Sequence, residues 1–424
     1  MNFSKLILFY ALCLMVLSQT ALGKAVPFLS IILFIILIFR HRKISLYAFK
    51  KILFLNLMVL LAFISGVVQV AEYDMYYFAR DVFYFIQAPL FIIIGMYLFK
   101  QIKDFKILLK AIVFSSFIIT LYFFSKLIID PSLLFKIGYD LRYEENISNS
   151  SAILAFAILF YARKLNYKLF SNAFELLIIW VSFFSIAISF SRTTYLMFII
   201  ILIIPFIAKK SIILKMYNAS IVLVLFVVFG GLFFNINAGG TEGTTFQSKV
   251  EHSFSEIIVK NYDTHFEIMH NWRGYEAFLG LSKYYNGNLA ELLFGQGLGA
   301  VVITPYYIFQ GTMPTMDVLP MFHNGYITIL LKAGLVGFLF FFLFLHTLLK
   351  TGTQSLKAAM SNEQALASIL LQASVFIIFF QTLVVHGLFT KSPSVLLLFL
   401  IGITIQLLTL KQKFFKEYIH GSIN

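Results

Sequence analysis

The sequence is dominated by a succession of apolar runs, each long enough to cross a lipid bilayer. A stretch of about 17 to 25 apolar residues is typical of a transmembrane helix. Hydrophobic residues make up 60% of the chain and charged residues only 12%, whereas soluble domains carry about 25% charged residues. A soluble fold is therefore excluded, and we predict an all-α polytopic membrane protein. Twelve runs are predicted to span the membrane, centred near residues 12, 32, 61, 90, 118, 155, 181, 200, 223, 336, 376 and 400.

The charged residues between these runs indicate the orientation of the chain. Lys and Arg gather in the short cytoplasmic loops of membrane proteins. With the N-terminus inside, the predicted cytoplasmic segments hold 21 of the 33 Lys and Arg residues and only 4 of the 19 Asp and Glu residues. Both termini are therefore predicted to be cytoplasmic. The net charge of +14 is a topology signal and does not indicate a nucleic-acid partner.

The first apolar run resembles a signal peptide that ends at A-L-G, residues 21–23. Its only preceding charge is Lys5, and eleven further runs follow, so we predict an uncleaved first helix. Cys13 lies within this run and is the only cysteine. The chain therefore has neither an internal disulfide nor a cysteine-ligated metal site.

A long polar segment, residues 235–320, follows the ninth run. Loops of this length are usually functional or disordered, and this one is too rich in aromatic residues for a disordered tether. It contains G-Q-G-L-G at residues 295–299 and leads into an apolar run that begins near His323. We predict a folded cap over a membrane-embedded site. The predicted divisions are transmembrane helices 1–9 in residues 1–234, the large extracytoplasmic loop in residues 235–321, and helices 10–12 with a cytoplasmic tail in residues 322–424.

Arginine is scarce on the outer side of membrane proteins, yet four arginines fall there in the predicted topology: Arg80, Arg142, Arg192 and Arg273. A guanidinium group suits bidentate phosphate contacts and stays charged at any relevant pH. Arg80 also fits a simple ion pair with Asp81, and Arg142 fits one with Glu144. Arg273 could pair with Glu276 one helical turn on. Functional roles are favoured for Arg192, which has no acidic neighbour in the sequence, and for Arg273.

His323 lies where the polar segment meets the tenth apolar run. A lone histidine near a helix end is often a capping or core residue. A general base is favoured here because His323 shares the predicted side of the four arginines, and because unperturbed histidine titrates near neutral pH. Asn324 could cap the following helix. Gly334 and Gly337 indicate close helix packing.

Nucleotide and metal sites are not predicted. The glycines at residues 295–299 lack the strand–turn–helix context and the G-K-[ST] ending of a phosphate loop, so turn glycines are favoured. His265, Glu267 and His270 do not have the H-E-x-x-H spacing of a zinc site.

Several segments occur in a characteristic order: S-R-T-T-Y-L (191–196), N-W-R-G-Y-E-A-F (271–278), L-L-F-G-Q-G-L-G (292–299) and H-N-G-Y-I-T-I-L-L-K-A-G-L-V-G (323–337). Together they resemble the bacterial O-antigen polymerase and O-antigen ligase family of membrane glycosyltransferases. L-R-Y-E-E-N-I-S-N-S-S-A (141–152) is similar to the family's Arg…Asn stretch, although the usual glycine after Arg and the proline before Asn are absent.

The resemblance implies a GT-C-like fold with about 12 transmembrane helices and one large extracytoplasmic loop. It implies inverting glycosyl transfer at the outer face of the bacterial cytoplasmic membrane, from a saccharide on undecaprenyl diphosphate, with neither cofactor nor metal. His323 would be the base, while Arg192 and Arg273 would stabilise the departing diphosphate. The residues assigned to substrate binding are Arg142, Arg80, Asn149, Glu276 and Asn324.

The resemblance leaves the acceptor open. A polymerase of O-antigen or capsule, which transfers the glycan to another lipid-linked repeat, is favoured over a ligase, which transfers it to lipid A-core. A lipid-linked oligosaccharide flippase is the rival from another class, and the long outer loop and the absence of internal repeats disfavour it. The expected partners are the lipid-linked donor and acceptor, the bilayer, and chain-length-regulator and flippase proteins.

Overall fold

The computed structural model describes residues 3–18, 21–40, 46–130, 150–189, 191–208, 258–262, 264, 267–268, 271–308, 316–384, 387–389 and 394–421. Helices dominate these residues, as predicted. In chain order the helices are α1 (Phe3–Leu17), α2 (Val26–Arg40), α3 (Leu46–Phe49), α4 (Leu53–Val68), α5 (Met75–Ile102), α6 (Phe105–Ile129), α7 (Ser150–Lys164), α8 (Asn172–Ala187), α9 (Arg192–Ala208), α10 (Trp272–Tyr285), α11 (Leu289–Phe294), α12 (Gly325–Lys357), α13 (Asn362–Val384) and α14 (Val395–Gly421). The strands are β1 (Val302–Ile308) and β2 (Met316–Leu319).

Five helical segments in the described residues are long and apolar enough to cross a membrane: Leu46–Val68, α5, α6, α12 and α13. Shorter apolar helices accompany them. The class of a helical membrane protein is therefore as predicted. Helices occupy eleven of the twelve predicted centres, whereas the centre near residue 223 lies outside the described residues. The count of twelve spans stays a prediction.

Polar residues at the helix ends explain where the central helices begin and end. Asp74 precedes α5, and its carboxylate accepts a hydrogen bond from the Tyr76 backbone N–H at 2.8 Å. Lys103 adopts a left-handed conformation (φ 56°) and ends α5. Asp104 then caps α6 by accepting from the Ile107 N–H at 2.9 Å. Short side chains with an acceptor oxygen satisfy the backbone donors that a helix start leaves without partners.

Two glycines let α5 and α14 approach closely in the middle of the bundle. A Cβ atom added to Gly402 would lie 2.0 Å from the Ile92 carbonyl oxygen, and one added to Gly95 would lie 2.4 Å from the Phe399 carbonyl oxygen. Small residues at such crossings favour dense helix packing where lipid offers no hydrophobic driving force. The crossing anchors α5, whose first turns carry Arg80 and Asp81.

The described part of the predicted loop is folded against the start of α12. It contains α10, α11 and an antiparallel hairpin in which Val302 pairs with Leu319; the hairpin was not predicted. One apolar cluster joins these pieces to the first turns of α12, and its buried members are Ala277, Tyr284, Ala300, Val302, Leu319, Phe322, Ile327 and Leu331. Burial of this cluster holds α10 on the end of α12.

Candidate functional site

His323 and Glu276 form the central polar contact of the site. The His323 Nδ1 atom lies 2.6 Å from the Glu276 Oε2 atom. The Glu276 side chain is 3% exposed, whereas that of His323 is 31% exposed. A buried carboxylate thus meets an imidazole ring that reaches the protein surface. The two residues are 47 positions apart in the chain.

Close packing of α10 on the start of α12 brings this pair together. A Cβ atom added to Gly280 would lie 2.7 Å from Ile327 and 2.9 Å from Phe322, so a larger residue would force these side chains or α10 to shift. Asn324 accepts a hydrogen bond from the Tyr326 N–H at 3.0 Å and begins α12. The predicted capping by Asn324 is therefore confirmed. Its assigned role in substrate binding stays a prediction.

The contact suits proton transfer. A carboxylate on one imidazole nitrogen fixes the ring's orientation and stabilises the positive charge that forms when the other nitrogen takes a proton. With the carboxylate on Nδ1, the Nε2 atom is the nitrogen that would take the proton in such a step. The pair has the geometry of a general base with its orienting carboxylate.

Arg273 lies in the first turn of α10 and is half-buried. Glu276 follows it by three residues, which places the two on neighbouring positions of one helix face. The contact that the structure gives Glu276 is with His323. Arg273 therefore stands within one helical turn of the carboxylate–imidazole pair.

The remaining predicted residues on the N-terminal side are described only in part. Arg192 begins α9, and its side chain lies outside the described residues, as do Arg142 and Asn149. Their predicted roles stay predictions. His265 and His270 also lie outside the described residues, and within those that are described no three His, Cys, Asp or Glu residues form a group suited to a metal ion.

Arg80 belongs to a second polar cluster, centred on Asp81. The Arg80 Nη2 and Nε atoms lie 2.6 Å and 3.2 Å from the Asp81 Oδ1 atom, so the predicted ion pair is confirmed. The Arg80 guanidinium also lies 5.1 Å from the ring centre of Tyr77 and 5.7 Å from that of Tyr84. These aromatic rings stabilise the cation. The Arg80 side chain is 14% exposed.

Lys332 completes this cluster, and it was not among the residues predicted for the site. Its ammonium donates to the Asp81 Oδ2 atom and to the Ala300 carbonyl. The Lys332 and Asp81 side chains are both fully buried. The sequence does show Lys332 as a lone charge within the apolar run of α12. Because an ionisable residue at membrane depth requires a partner, this charge could have predicted a buried ion pair.

The glycine-rich segment 295–299 is a backbone wedge between α4 and α12. Its glycines Gly295, Gly297 and Gly299 adopt positive φ angles of 83°, 83° and 96°, so the predicted turn glycines are confirmed. A left-handed break at Gly334 (φ 65°) interrupts α12. The carbonyls of Leu331 and Lys332 near this break accept from the N–H groups of Gln296 and Gly297 at 2.8 Å and 3.0 Å.

The two polar clusters lie near each other along α12. Lys332 follows Gly325 by seven residues, which corresponds to about 10 Å along the helix axis. His323 immediately precedes the Asn324 cap. Both clusters therefore occupy the end of the bundle at which α12 begins.

No protein-family model and no curated protein matches this chain.

Proposed function

We propose that the protein is an inverting membrane glycosyltransferase that uses a polyprenyl-diphosphate-linked glycan as donor. The observation that carries this proposal is the contact between the buried Glu276 carboxylate and the half-exposed His323 imidazole, with Arg273 one helical turn away. A base and a cation at one membrane-helix end are the two groups that this reaction requires.

In the proposed reaction the acceptor hydroxyl attacks the anomeric carbon of the donor sugar. The His323 Nε2 atom takes the hydroxyl proton, and Glu276 stabilises the resulting imidazolium. The bond between the anomeric carbon and the diphosphate oxygen breaks, and the lipid diphosphate leaves with the electron pair. Arg273 and Arg192 stabilise the negative charge that develops on it. Because the leaving group is already activated, the residues need to supply only the base, the cations and the orientation of the substrates.

The acceptor we propose is the sugar hydroxyl of another lipid-linked repeat unit, so that the product is a surface polysaccharide such as O-antigen or capsule. Each turnover then lengthens the chain by transfer from one lipid diphosphate to another. The ordered segments between residues 191 and 337 resemble those of the O-antigen polymerase and O-antigen ligase family, and this resemblance supports the choice of substrate class.

The proposed reaction requires that the site face the outer side of the cytoplasmic membrane, with twelve spans and both termini inside. The distribution of Lys and Arg supports this orientation. Reporter fusions after Lys43, Arg163 and Lys350 should give a cytoplasmic signal, and fusions within residues 240–320 should give an outside signal. A cytoplasmic signal from the loop contradicts both the topology and the proposed reaction.

Surface polysaccharide from a deletion strain tests the function. A polymerase defect leaves lipid A-core with a single repeat, whereas accumulation of long lipid-linked chains indicates a ligase. Accumulation of repeats at the inner face of the membrane indicates a flippase. Complementation should succeed with the wild-type gene and fail with His323→Ala. His346→Ala is the matched control, because His346 is an exposed histidine within α12, the helix that begins just after His323, and it should complement fully.

A further inference from the structure

The carboxylate of Asp81 accepts hydrogen bonds from donors on three separate segments of the chain. Its Oδ1 atom accepts two hydrogen bonds from the Arg80 guanidinium in α5. Its Oδ2 atom accepts from the Gly299 backbone N–H at 3.0 Å, and from the Lys332 ammonium in α12. Neither the Asp81 nor the Lys332 side chain is exposed, so substrate does not reach these groups in this arrangement.

Charge balance makes Asp81 and Lys332 dependent on each other. Removing one partner of a buried ion pair leaves an uncompensated charge, which typically destabilises a protein strongly, whereas removing both is often nearly neutral. Lys332 is the more dependent partner, since its other described contact is the neutral Ala300 carbonyl. Asp81 retains Arg80 and the Gly299 N–H when Lys332 is replaced.

The contacts of this cluster fix the glycine-rich segment against α12. Lys332 holds Ala300, the residue after the segment, through its side chain, and holds Gly297 through its carbonyl oxygen. Leu298 is tied to α4 by a hydrogen bond from its N–H to the Ala62 carbonyl at 3.0 Å. The segment is thereby bonded to α4, α5 and α12.

The same segment connects the two halves of the proposed catalytic pair. It follows α10 and α11 in the chain, and α10 carries Glu276, while His323 immediately precedes the cap of α12. A shift of the segment relative to α12 therefore moves the carboxylate relative to the imidazole. Misplacing a catalytic group by about 1 Å can lower a rate by about 10²-fold.

We propose that Asp81 and Lys332 are positioning residues, which clamp the glycine-rich segment to α12 and thereby set Glu276 against His323. The clamp itself is independent of the chemistry, whereas its effect on turnover rests on the proposed function. Hydrogen exchange therefore tests the clamp, and turnover tests its effect on the proposed reaction.

Hydrogen exchange of the purified protein in detergent tests the clamp directly. Peptides that cover residues 289–301 report the N–H groups of Gln296, Gly297 and Gly299. Asp81→Asn should accelerate their exchange by about 10- to 100-fold, the range expected on loss of hydrogen bonds to a charged group. Lys332→Met should cause a smaller acceleration, because Asp81 keeps its other donors.

The double variant Asp81→Asn/Lys332→Met provides the decisive comparison. The double variant leaves one cation of the cluster, Arg80, without a carboxylate, whereas Asp81→Asn leaves two. It should therefore accumulate and resist heat better than Asp81→Asn alone, and its segment should exchange more slowly. If Asp81→Asn does not accumulate at all, the double variant should still do so. A double variant that is no better than Asp81→Asn overturns the proposed pairing.

Turnover per folded molecule separates positioning from a purely structural role. With synthetic lipid-diphosphate donor and acceptor, Lys332→Met and the double variant should lose about 10²-fold in kcat with little change in KM. The matched control is Glu175→Gln, since Glu175 is a buried carboxylate that accepts from the Leu169 and Phe170 N–H groups and pairs with Arg163. That variant should lose heat resistance without losing kcat or protection of residues 289–301.

The outcomes are separable. Wild-type kcat together with wild-type exchange in both single variants overturns the clamp. Accelerated exchange with unchanged kcat overturns the positioning role. Absence of turnover by the wild-type protein itself contradicts the proposed function, while the exchange and heat-resistance data still decide whether the clamp exists.

Discussion

Asp81 and Glu276 are two buried carboxylates at the same end of the bundle, and their partners differ. Asp81 accepts hydrogen bonds from Arg80, from the buried Lys332 and from the Gly299 N–H. Among the described residues, the contact that the structure gives Glu276 is with His323, whose side chain is 31% exposed. A carboxylate bound to donors on several segments holds structure together. A carboxylate beside an accessible imidazole fits the proton transfer that we propose.

We therefore predict that backbone changes in the glycine-rich segment next to Asp81 lower the stability of the protein most. Gly297→Ala should destabilise the protein by at least about 3 kcal/mol, since the new Cβ combines steric overlap with an unfavourable backbone conformation. That atom would lie 2.1 Å from the Gly66 nitrogen, and Gly297 has a φ of 83°. Thermal unfolding of the detergent-solubilised protein measures the loss.

Gly287→Ala is the control for this substitution. Its Cβ would meet first the Glu291 Oε2 atom at 2.8 Å, and moving that carboxylate aside costs its hydrogen bond with the Asn288 N–H. Gly287→Ala should therefore lower the unfolding temperature much less than Gly297→Ala. Equal unfolding temperatures for Gly297→Ala and the wild type contradict the description of the segment as a rigid wedge.

Replacement of the second carboxylate should affect rate and leave stability nearly unchanged. Glu276→Gln keeps the volume and an acceptor oxygen for His323, but it removes the charge that stabilises the imidazolium. We expect a loss of about 10² to 10⁴ in kcat, the range of a general base. Steady-state turnover with synthetic lipid-linked substrates measures it. Glu267→Gln is the control, because Glu267 is an exposed carboxylate in the same predicted loop, and this variant should retain wild-type kcat. An equal loss of kcat in Glu276→Gln and Glu267→Gln would contradict a specific role for Glu276.

Arg273→Lys should have a smaller effect than Glu276→Gln. Lysine keeps the positive charge but loses the planar fork of donors that binds two phosphate oxygens. Removing one preorganised donor typically costs about 10² to 10³ in rate. The matched control is Arg163→Lys, because Arg163 pairs with Glu175 in the loop predicted to be cytoplasmic. If Arg273→Lys transfers glycan at the wild-type rate, Arg273 is an interfacial residue and does not contact the diphosphate.

The sequence predicted local features of the site because they depend on neighbours in the chain. Apolar runs predicted the helices, Asn324 was expected to cap α12, and Arg80 was expected to pair with the adjacent Asp81. The contact between Glu276 and His323 was not predicted. A helical pattern pairs Glu276 with Arg273, and only the packing of α10 on α12 brings in a residue 47 positions away.

Long-range and backbone features explain the other differences. Lys332 is visible in the sequence as a charge in an apolar run, but its partner Asp81 lies 251 residues earlier. Gly334 was interpreted as a helix-packing residue, and a Cβ atom there would lie 2.5 Å from the Leu293 carbonyl oxygen of α11, so this interpretation is confirmed. The break in α12 at its positive φ was not predicted. Gly337 fits the packing interpretation, since a Cβ atom added to it would lie 3.5 Å from Met58 and 3.8 Å from Leu61, both in α4.

The most direct test of the account is the turnover of His323→Gln and His323→Ala by the purified protein, with lipid-diphosphate donor and acceptor and a chelator present. Glutamine can keep a hydrogen bond to Glu276 but cannot accept a proton at neutral pH. The account predicts that both variants lose about 10² to 10⁴ in rate while still binding the donor. Substantial turnover by His323→Gln would contradict it, because His323 would then be only a hydrogen-bonding residue at the start of α12.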